Sequence, residues 1–249
     1  MKTRTLTFVL SLLLLPVLAR VAFAQTADDI VEKHLAALGG RAALGKITSR
    51  KSTGTISVST QGAELSGPVE IYLKAPNKTH AIMQLDLSAV GATGEMAVEQ
   101  LFDGQKGYAL NSMQGDNEIT GHQLDNMRNN VFPSSLLNYK EAGTKLEVLP
   151  REQVNGRAAI VLRATPKIGS PSRIYFDAET YLIVRTITTI DAPTGGEGEQ
   201  TSEPSDYRAV DGVKVAFLVV NSTDLQTLTI RLSKVEHNVA IDDAMFVKK

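Results

Sequence analysis

From Ser52 onward the apolar residues of this chain recur mostly at every second position, a period that admits half-buried β-strands and little else. Val69, Ile71 and Leu73 alternate with Glu70, Tyr72 and Lys74. Ala81, Met83, Leu85 and Leu87 alternate largely with polar neighbours, and Leu228, Ile230 and Leu232 alternate with Thr227, Thr229, Arg231 and Ser233. Each of these strands has one apolar face and one wet face. Asn155-Gly156 and Asp211-Gly212 separate strand-like runs as two-residue hairpin loops, and Asp103-Gly104 is a similar turn signal, so neighbouring strands are antiparallel. The period alone gives about 11 or 12 strands.

Helical spacing is confined to two places. Thr26 is placed to cap a helix with Asp29 three residues on, and Ile30, Val31, His34, Leu35 and Leu38 share one face before Gly39-Gly40. A shorter helical piece follows at Arg41 to Ile47. Midway through the strands, Leu124, Met127 and Val131 recur at helical spacing, and Pro133-Ser134-Ser135 opens a second helical turn that carries Leu136 and Leu137 beside Phe132. Asp191 to Glu199, with Pro193, Gly195 and Gly196, reads as a mobile loop.

The first 24 residues read as a signal peptide. Lys2 and Arg4 precede an apolar run from Leu6 to Ala19, and Ala22-Phe23-Ala24 is a small-x-small cleavage pattern. The run is interrupted by Pro16, closed by Arg20, and short of the ~20 residues a spanning helix needs. Cleavage after Ala24 leaves one exported, periplasmic domain over 25–249. It removes Lys2, Arg4 and Arg20, so 23 of the 26 basic residues face 27 acidic ones, a net charge of −4. That balance disfavours a nucleic-acid partner. The absence of cysteine excludes a disulfide scaffold, a thiolate metal site, a cysteine nucleophile and a lipid-modified N-terminal cysteine.

Catalytic signals are weak. His34, His80, His122 and His237 lack metal-ligand spacing and read as solitary surface or interface residues. Asp103, Asp177, Asp206 and Asp211 read as turn residues bonding their own backbone, and Asp242 and Asp243 as caps of the final turn. No nucleophile elbow, phosphate loop or dinucleotide fingerprint is present. We therefore expect no enzyme, no cofactor and no metal.

A sheet of this size with one apolar face must cover that face, and curling around helices does so. The expected architecture is mainly β with helices (α+β), a half-open antiparallel β-barrel with a helical lid or plug. Its inner face leaves an apolar cavity of several hundred Å³, in the usual range for ligand sites. Ile56, Val58, Val69, Ile71, Leu73, Met83, Leu85, Val215, Phe217, Leu228, Ile230 and Leu232 are the expected lining. Leu124, Met127, Val131, Phe132, Leu136 and Leu137 are the expected lid.

Gly-Pro-Val-Glu-Ile-Tyr-Leu-Lys-Ala-Pro-Asn at 67–77 and Leu-Phe-Asp-Gly-Gln-Lys-Gly-Tyr at 101–108 resemble the Lys-x-Pro-Asn corner and Asp-Gly-x-Lys hairpin of the LolA/LolB-type outer-membrane lipoprotein-sorting proteins. Tyr-Phe-Asp-Ala-Glu-Thr at 175–180, Ser-Asp-Tyr-Arg-Ala-Val-Asp-Gly-Val-Lys at 205–214 and Ile-Asp-Asp-Ala-Met-Phe at 241–246 resemble later hairpins of exported LolA-like proteins. The family often has Trp after the Asp-Gly-x-Lys turn, where this chain has Tyr108. The resemblance implies a monomeric, unanchored periplasmic carrier that binds acyl chains of lipoproteins or another lipid and meets inner- or outer-membrane transfer partners. In the carrier an arginine latches the lid; Arg50 lies near the corresponding strand, but no motif assigns it that part. The alternatives are a non-transporting envelope sensor that uses the same barrel to bind a protein and, more remotely, a hydrolase acting on an envelope substrate.

Overall fold

The computed structural model describes residues 25–60, 62–191 and 196–249; the expected signal peptide and residues 192–195 of the expected loop lie outside them. Helix α1 (Ala27–Leu38) is followed by α2 (Arg41–Leu44), and a third helix, α3 (Gly121–Asn129), interrupts the strands. The strands are β1 (Ser49–Thr60), β2 (Ala63–Lys74), β3 (Lys78–Asp86), β4 (Glu95–Phe102), β5 (Gly107–Asn111), β6 (Asn117–Ile119), β7 (Lys145–Val154), β8 (Arg157–Thr165), β9 (Ser172–Asp177), β10 (Ile183–Asp191), β11 (Glu197–Val210), β12 (Val213–Ser222) and β13 (Gln226–His237). They form one antiparallel sheet in the order β6-β5-β4-β3-β2-β1-β13-β12-β11-β10-β9-β8-β7. Every neighbour is joined by a hairpin except β1 and β13, where the two ends of the meander meet.

The sheet is not closed, since β6 and β7 are its two edges. It has 13 strands rather than about 11 or 12. The sequence reading missed β6, whose three residues are too short to display a period. The expected second helical turn at Pro133 is also absent. Residues 134–144 form successive hydrogen-bonded turns instead, with Leu137 N–H donating to Ser134 O (3.1 Å) and Thr144 N–H to Tyr139 O (2.9 Å). The 191–199 segment contains less loop than its glycines suggest, because β10 and β11 stay paired to Asp191↔Glu197.

Two glycines let the sheet curl. At Gly67 a Cβ would lie 1.7 Å from the carbonyl oxygen of Gln84, and at Gly54 one would lie 2.1 Å from that of Arg231. Gly54 also follows a register shift between β1 and β13. Only a residue without a side chain fits where neighbouring backbones press this close, and the extra residue of a bulge adds local twist.

α1 begins as its sequence predicts. Thr26 Oγ1 accepts from Asp29 N–H (3.1 Å) while the Asp29 carboxylate accepts from Thr26 N–H (3.2 Å). It ends at Gly39, with φ +124°, where a Cβ would sit 2.3 Å from Gly212 O in the β11–β12 turn. Ile30, Val31 and Leu35 then pack into a core with Ile160, Leu162, Ile174 and Phe176 of β8 and β9, Val213, Val215 and Phe217 of β12, and Val235 of β13. Strands as far apart in the sheet as β8 and β13 thus share one core with this helix, which requires the sheet to curve around it.

Three histidines are less exposed than expected. His34 is buried in this core, its Nδ1–H donating to Tyr181 O (2.9 Å) and its ring edge-on to Phe176. His80 is buried on the other face beside Glu99 (2.7 Å), and His237 is largely enclosed; His122 alone is exposed. Of the four expected turn aspartates, Asp103 and Asp177 bond their own backbone, whereas Asp206 lies within β11 and pairs with Arg208, and Asp211, in the β11–β12 turn, directs its carboxylate to His237. Asp177 accepts from the N–H groups of Glu179 and Thr180, Asp103 from those of Gln105 and Lys106, and Asp242 caps the final turn. Asp243 instead pairs with Lys74 and Lys78.

Candidate functional site

The strand registers put Arg50, Ser52, Gly54, Ile56 and Val58 of β1 on the inner face, beside Leu73, Ile71, Val69, Gly67 and Leu65 of β2. On the other side they meet His237, Val235, Leu232, Ile230 and Leu228 of β13. This surface is divided into two regions.

In the first, α1 and the turns after α3 fill the concavity. Val215 and Phe217 belong to the α1 core, and Leu73 and Leu232 pack against it. Phe132 and Leu136 are buried in the same core, with Leu137 against them. These three expected lid residues are therefore packed with α1 as a plug.

The second region is built from strands alone. Ile56, Val69 and Leu85 are buried, at 1–3% exposure, and around them Val58, Leu65, Ile71, Met83, Met96, Val98, Leu228 and Ile230 are half-buried. No helical residue among those described joins this cluster. Eight of the twelve expected lining residues are here: Ile56, Val58, Val69, Ile71, Met83, Leu85, Leu228 and Ile230. Met96 and Val98 were missed, although their alternation along β4 carries the same signal as that of β3. A separate cleft of about 370 Å³ at Thr189, Glu197, Gly198, Glu199 and Asp224 is polar. It shares the Thr189 face of β10, whereas Thr188 faces inward, so it is not the apolar space expected from the sequence.

The remaining expected lid residues lie on or next to α3, and this helix is held by polar bonds. Leu124, Met127 and Val131 are half-buried, and Met127 Sδ lies against Gly107 and Ile119 at the β5–β6 end. Asn126 Oδ1 accepts from Ser170 N–H (2.8 Å) in the β8–β9 loop. Arg128 donates to Gln105 O (3.1 Å), and Asn77 donates to Arg128 O (3.2 Å). His122 binds Asp191 at the end of β10 through its ring nitrogen (2.8 Å) and its N–H (3.2 Å). α3 thus ties the β2–β6 half of the open sheet to the β8–β10 half.

The His122–Asp191 bond makes one of these ties pH-dependent. Hydrogen bonding to Asp191 raises the His122 pKa above its ordinary 6.5, so the charged pair is complete below that value and is lost as pH rises through the raised one. Amide exchange in α3, corrected for intrinsic rate, is expected to be faster at about pH 8.5 than at about pH 5.5. Asp191→Asn should remove that difference; an equal difference in the variant would assign it to another group.

At the boundary between the two regions stands Arg50. Its guanidinium lies 5.2 Å from the centre of the Phe132 ring, and its Nε–H donates to His237 Nε2 (3.1 Å). His237 Nδ1–H in turn donates to Asp211 (3.2 Å). Burial, together with the positive charge of Arg50, holds His237 below its ordinary pKa and hence neutral, which leaves Nε2 free to accept. Burial also lowers Arg50 to about 10, so it remains a cation at neutral pH.

The described residues form an open antiparallel sheet wrapped around one helix, with half-buried apolar side chains on the part of the inner face that the helix does not reach. The fold is LolA-like. A domain assigned to outer-membrane lipoprotein sorting from Vibrio parahaemolyticus superposes with a TM-score of 0.56 at 10% identity, covering 88% of this chain and 94% of that one. A LolA superfamily protein from Nitrosomonas europaea gives 0.55 at 13%, over 90% and 99%. A DUF1329 family protein from Desulfovibrio piger gives 0.55 at 14%, over 88% and 96%. No protein-family model matches the sequence, and no curated protein matches it either.

Proposed function

We propose that this protein is an exported carrier that shelters the acyl chains of a lipoprotein, or of another lipid, against the strand-only cluster around Ile56, Val69 and Leu85. The half-buried state of Val58, Ile71, Met83, Leu228 and Ile230 carries the reading, because an apolar surface on the concave face of a soluble sheet stays partly unsatisfied until something apolar covers it. The similarly folded Vibrio parahaemolyticus domain, described as one of outer-membrane lipoprotein sorting, supports a lipoprotein cargo.

The magnitudes suffice without any special residue. Burying about 15 methylenes at ~0.8 kcal/mol each releases roughly 12 kcal/mol, of which immobilisation and ordering return half or more. Micromolar binding remains. The proposal includes removal of residues 1–24 on export to the periplasm, a single domain over 25–249, and no catalytic role. It gives Leu124 and Met127 of α3 the part of the cover that opens, and Phe132, Leu136 and Leu137 that of a fixed plug.

Native mass spectrometry of protein purified from a cell envelope tests it directly. Co-purifying lipid, displaced by a fluorescent acyl probe, is the expected result; repeated absence of lipid together with no probe binding would overturn the reading. Recovery of a single membrane protein with no dependence on acyl chains would instead favour the sensor alternative. The ten-residue edge strand β7, with Val148 exposed, is where such a partner could add a strand.

A further inference from the structure

We propose that the carried lipid has an anionic head, a carboxylate or a phosphate, and that Arg50 receives it at the plugged end of the inner face while the chain runs over the strand-only cluster. This inference rests on the acyl-carrier reading and names the chemical class of its ligand.

Arg50 is a cation on a largely apolar face with no carboxylate paired to it among the described residues. Leu73 and His237 are its cross-strand neighbours, and Phe132 lies over it. The acid nearest in the network, Asp211, is one imidazole away and bonds His237 rather than the guanidinium. The neutral His237 ring takes only the Nε–H. Among the described residues the two terminal nitrogens of Arg50, the pair that forms a bidentate fork with an oxyanion, have no hydrogen-bond partner.

A packing role alone explains this arrangement poorly. Stacking on Phe132 would be served as well by an apolar side chain, without the cost of desolvating a charge. The Asp211–His237 pair aims the guanidinium and fixes its Nε edge, an alignment that matters when the opposite edge has something to grip. His237 is well placed for this, because its side chain is only 1% exposed and held by the carboxylate behind it.

The distances suit an amphiphile. From Arg50 the inner face of β1 runs through Ser52 and Gly54 to Ile56 and Val58, eight residues and about 26 Å of strand. Ile71 and Val69 flank this path on one side and Leu232, Ile230 and Leu228 on the other. A head on Arg50 therefore leaves a long acyl chain in register with the half-buried cluster.

Isothermal titration of the mature protein with oleate, methyl oleate, a phosphatidic acid and inorganic phosphate tests the assignment. Oleate is expected to bind at least about tenfold more tightly than its ester, as one charge-assisted bidentate contact would give. Tight phosphatidic acid binding with weak oleate binding would identify the head as phosphate; free phosphate should not bind measurably, because the chain supplies most of the affinity. Arg50→Met keeps the apolar stem and should bring acid and ester to equal affinity, with ester binding unchanged. Its thermal unfolding should stay within a few degrees of the parent. Wild-type protein that binds both acids no better than the ester overturns the inference and leaves the carrier reading standing. So does an Arg50→Met variant that weakens acid and ester alike, which would make Arg50 a clasp on Phe132. Binding of neither the acids nor the ester overturns the carrier reading itself.

Discussion

Gly67→Val is expected to lower the stability of this protein by about 3 kcal/mol or more, at the upper end of overpacking substitutions. The reason is geometric. A Cβ at Gly67 would fall 1.7 Å from the Gln84 carbonyl oxygen and 2.8 Å from its carbon, and neither backbone atom can swing aside as a side chain would. Relief requires β2 and β3 to separate, which breaks the ladder around Val69↔Met83 and flattens the curl that buries Ile56, the cross-strand partner of Gly67. Urea denaturation measures the loss, with Ser66→Val next to it as the control because Ser66 is exposed. Equal effects of the two substitutions would mean that strand propensity, and not the close approach, governs this position.

The second large effect separates the two halves of the inner face. Leu35→Ala, in the fully buried face of α1, should cost about 2–5 kcal/mol by leaving a cavity among Phe176, Leu162 and Val213. Ile71→Ala, in the half-buried strand cluster, should cost only about 1 kcal/mol, since water already reaches part of that side chain. For binding of a fluorescent acyl probe the order reverses. Ile71→Ala removes apolar contact with the chain and should weaken the probe about tenfold, whereas Leu35→Ala, measured well below its lowered melting temperature, should leave probe affinity nearly unchanged. If Ile71→Ala destabilises as much as Leu35→Ala and the probe binds as before, the second cluster is ordinary core and the protein carries nothing there.

Much of this architecture was legible because the signals are local. The alternation Val69-Ile71-Leu73 reports a strand and its face, since side chains alternate across the pleat whatever lies opposite. Thr26 and Asp29 report a helix start because both partners of the capping box lie within one turn. Asn155 and Asp211 adopt φ of +51° and +49° in their hairpins, as residues followed by glycine in such turns should. The misses have equally physical causes. β6 is shorter than two periods. For β8 the strand itself was legible but its inner face was not, because Ala159 and Val161 pack on one side while Ile160 and Leu162 pack on the other, leaving no alternation. His34 reads as a solitary polar residue until Tyr181, 147 positions away, supplies a carbonyl.

The candidate site shows the same division more sharply. Periodicity picked out Ile56, Val69, Ile71 and Ile230 as inward-facing, yet it picked out Val215 and Phe217 in the same way, and only the first four lie in the strand-built cluster. The isolated Arg50 had no motif to assign it a part, because its partners Phe132 and His237 are 82 and 187 positions distant.

By itself the sequence determined the antiparallel meander, the amphipathic first helix, the turns and the inward side of the strands that alternate, all of which depend on residues within a few positions of one another. Only the tertiary structure decided that the sheet wraps so far that β8 and β13 share one core, which end of the concavity the first helix fills, and which cation is left facing the rest. Those outcomes depend on what lies across the fold from each residue, and a strand's own pattern of apolar and polar positions is the same whether a helix, a lipid or water occupies the space opposite.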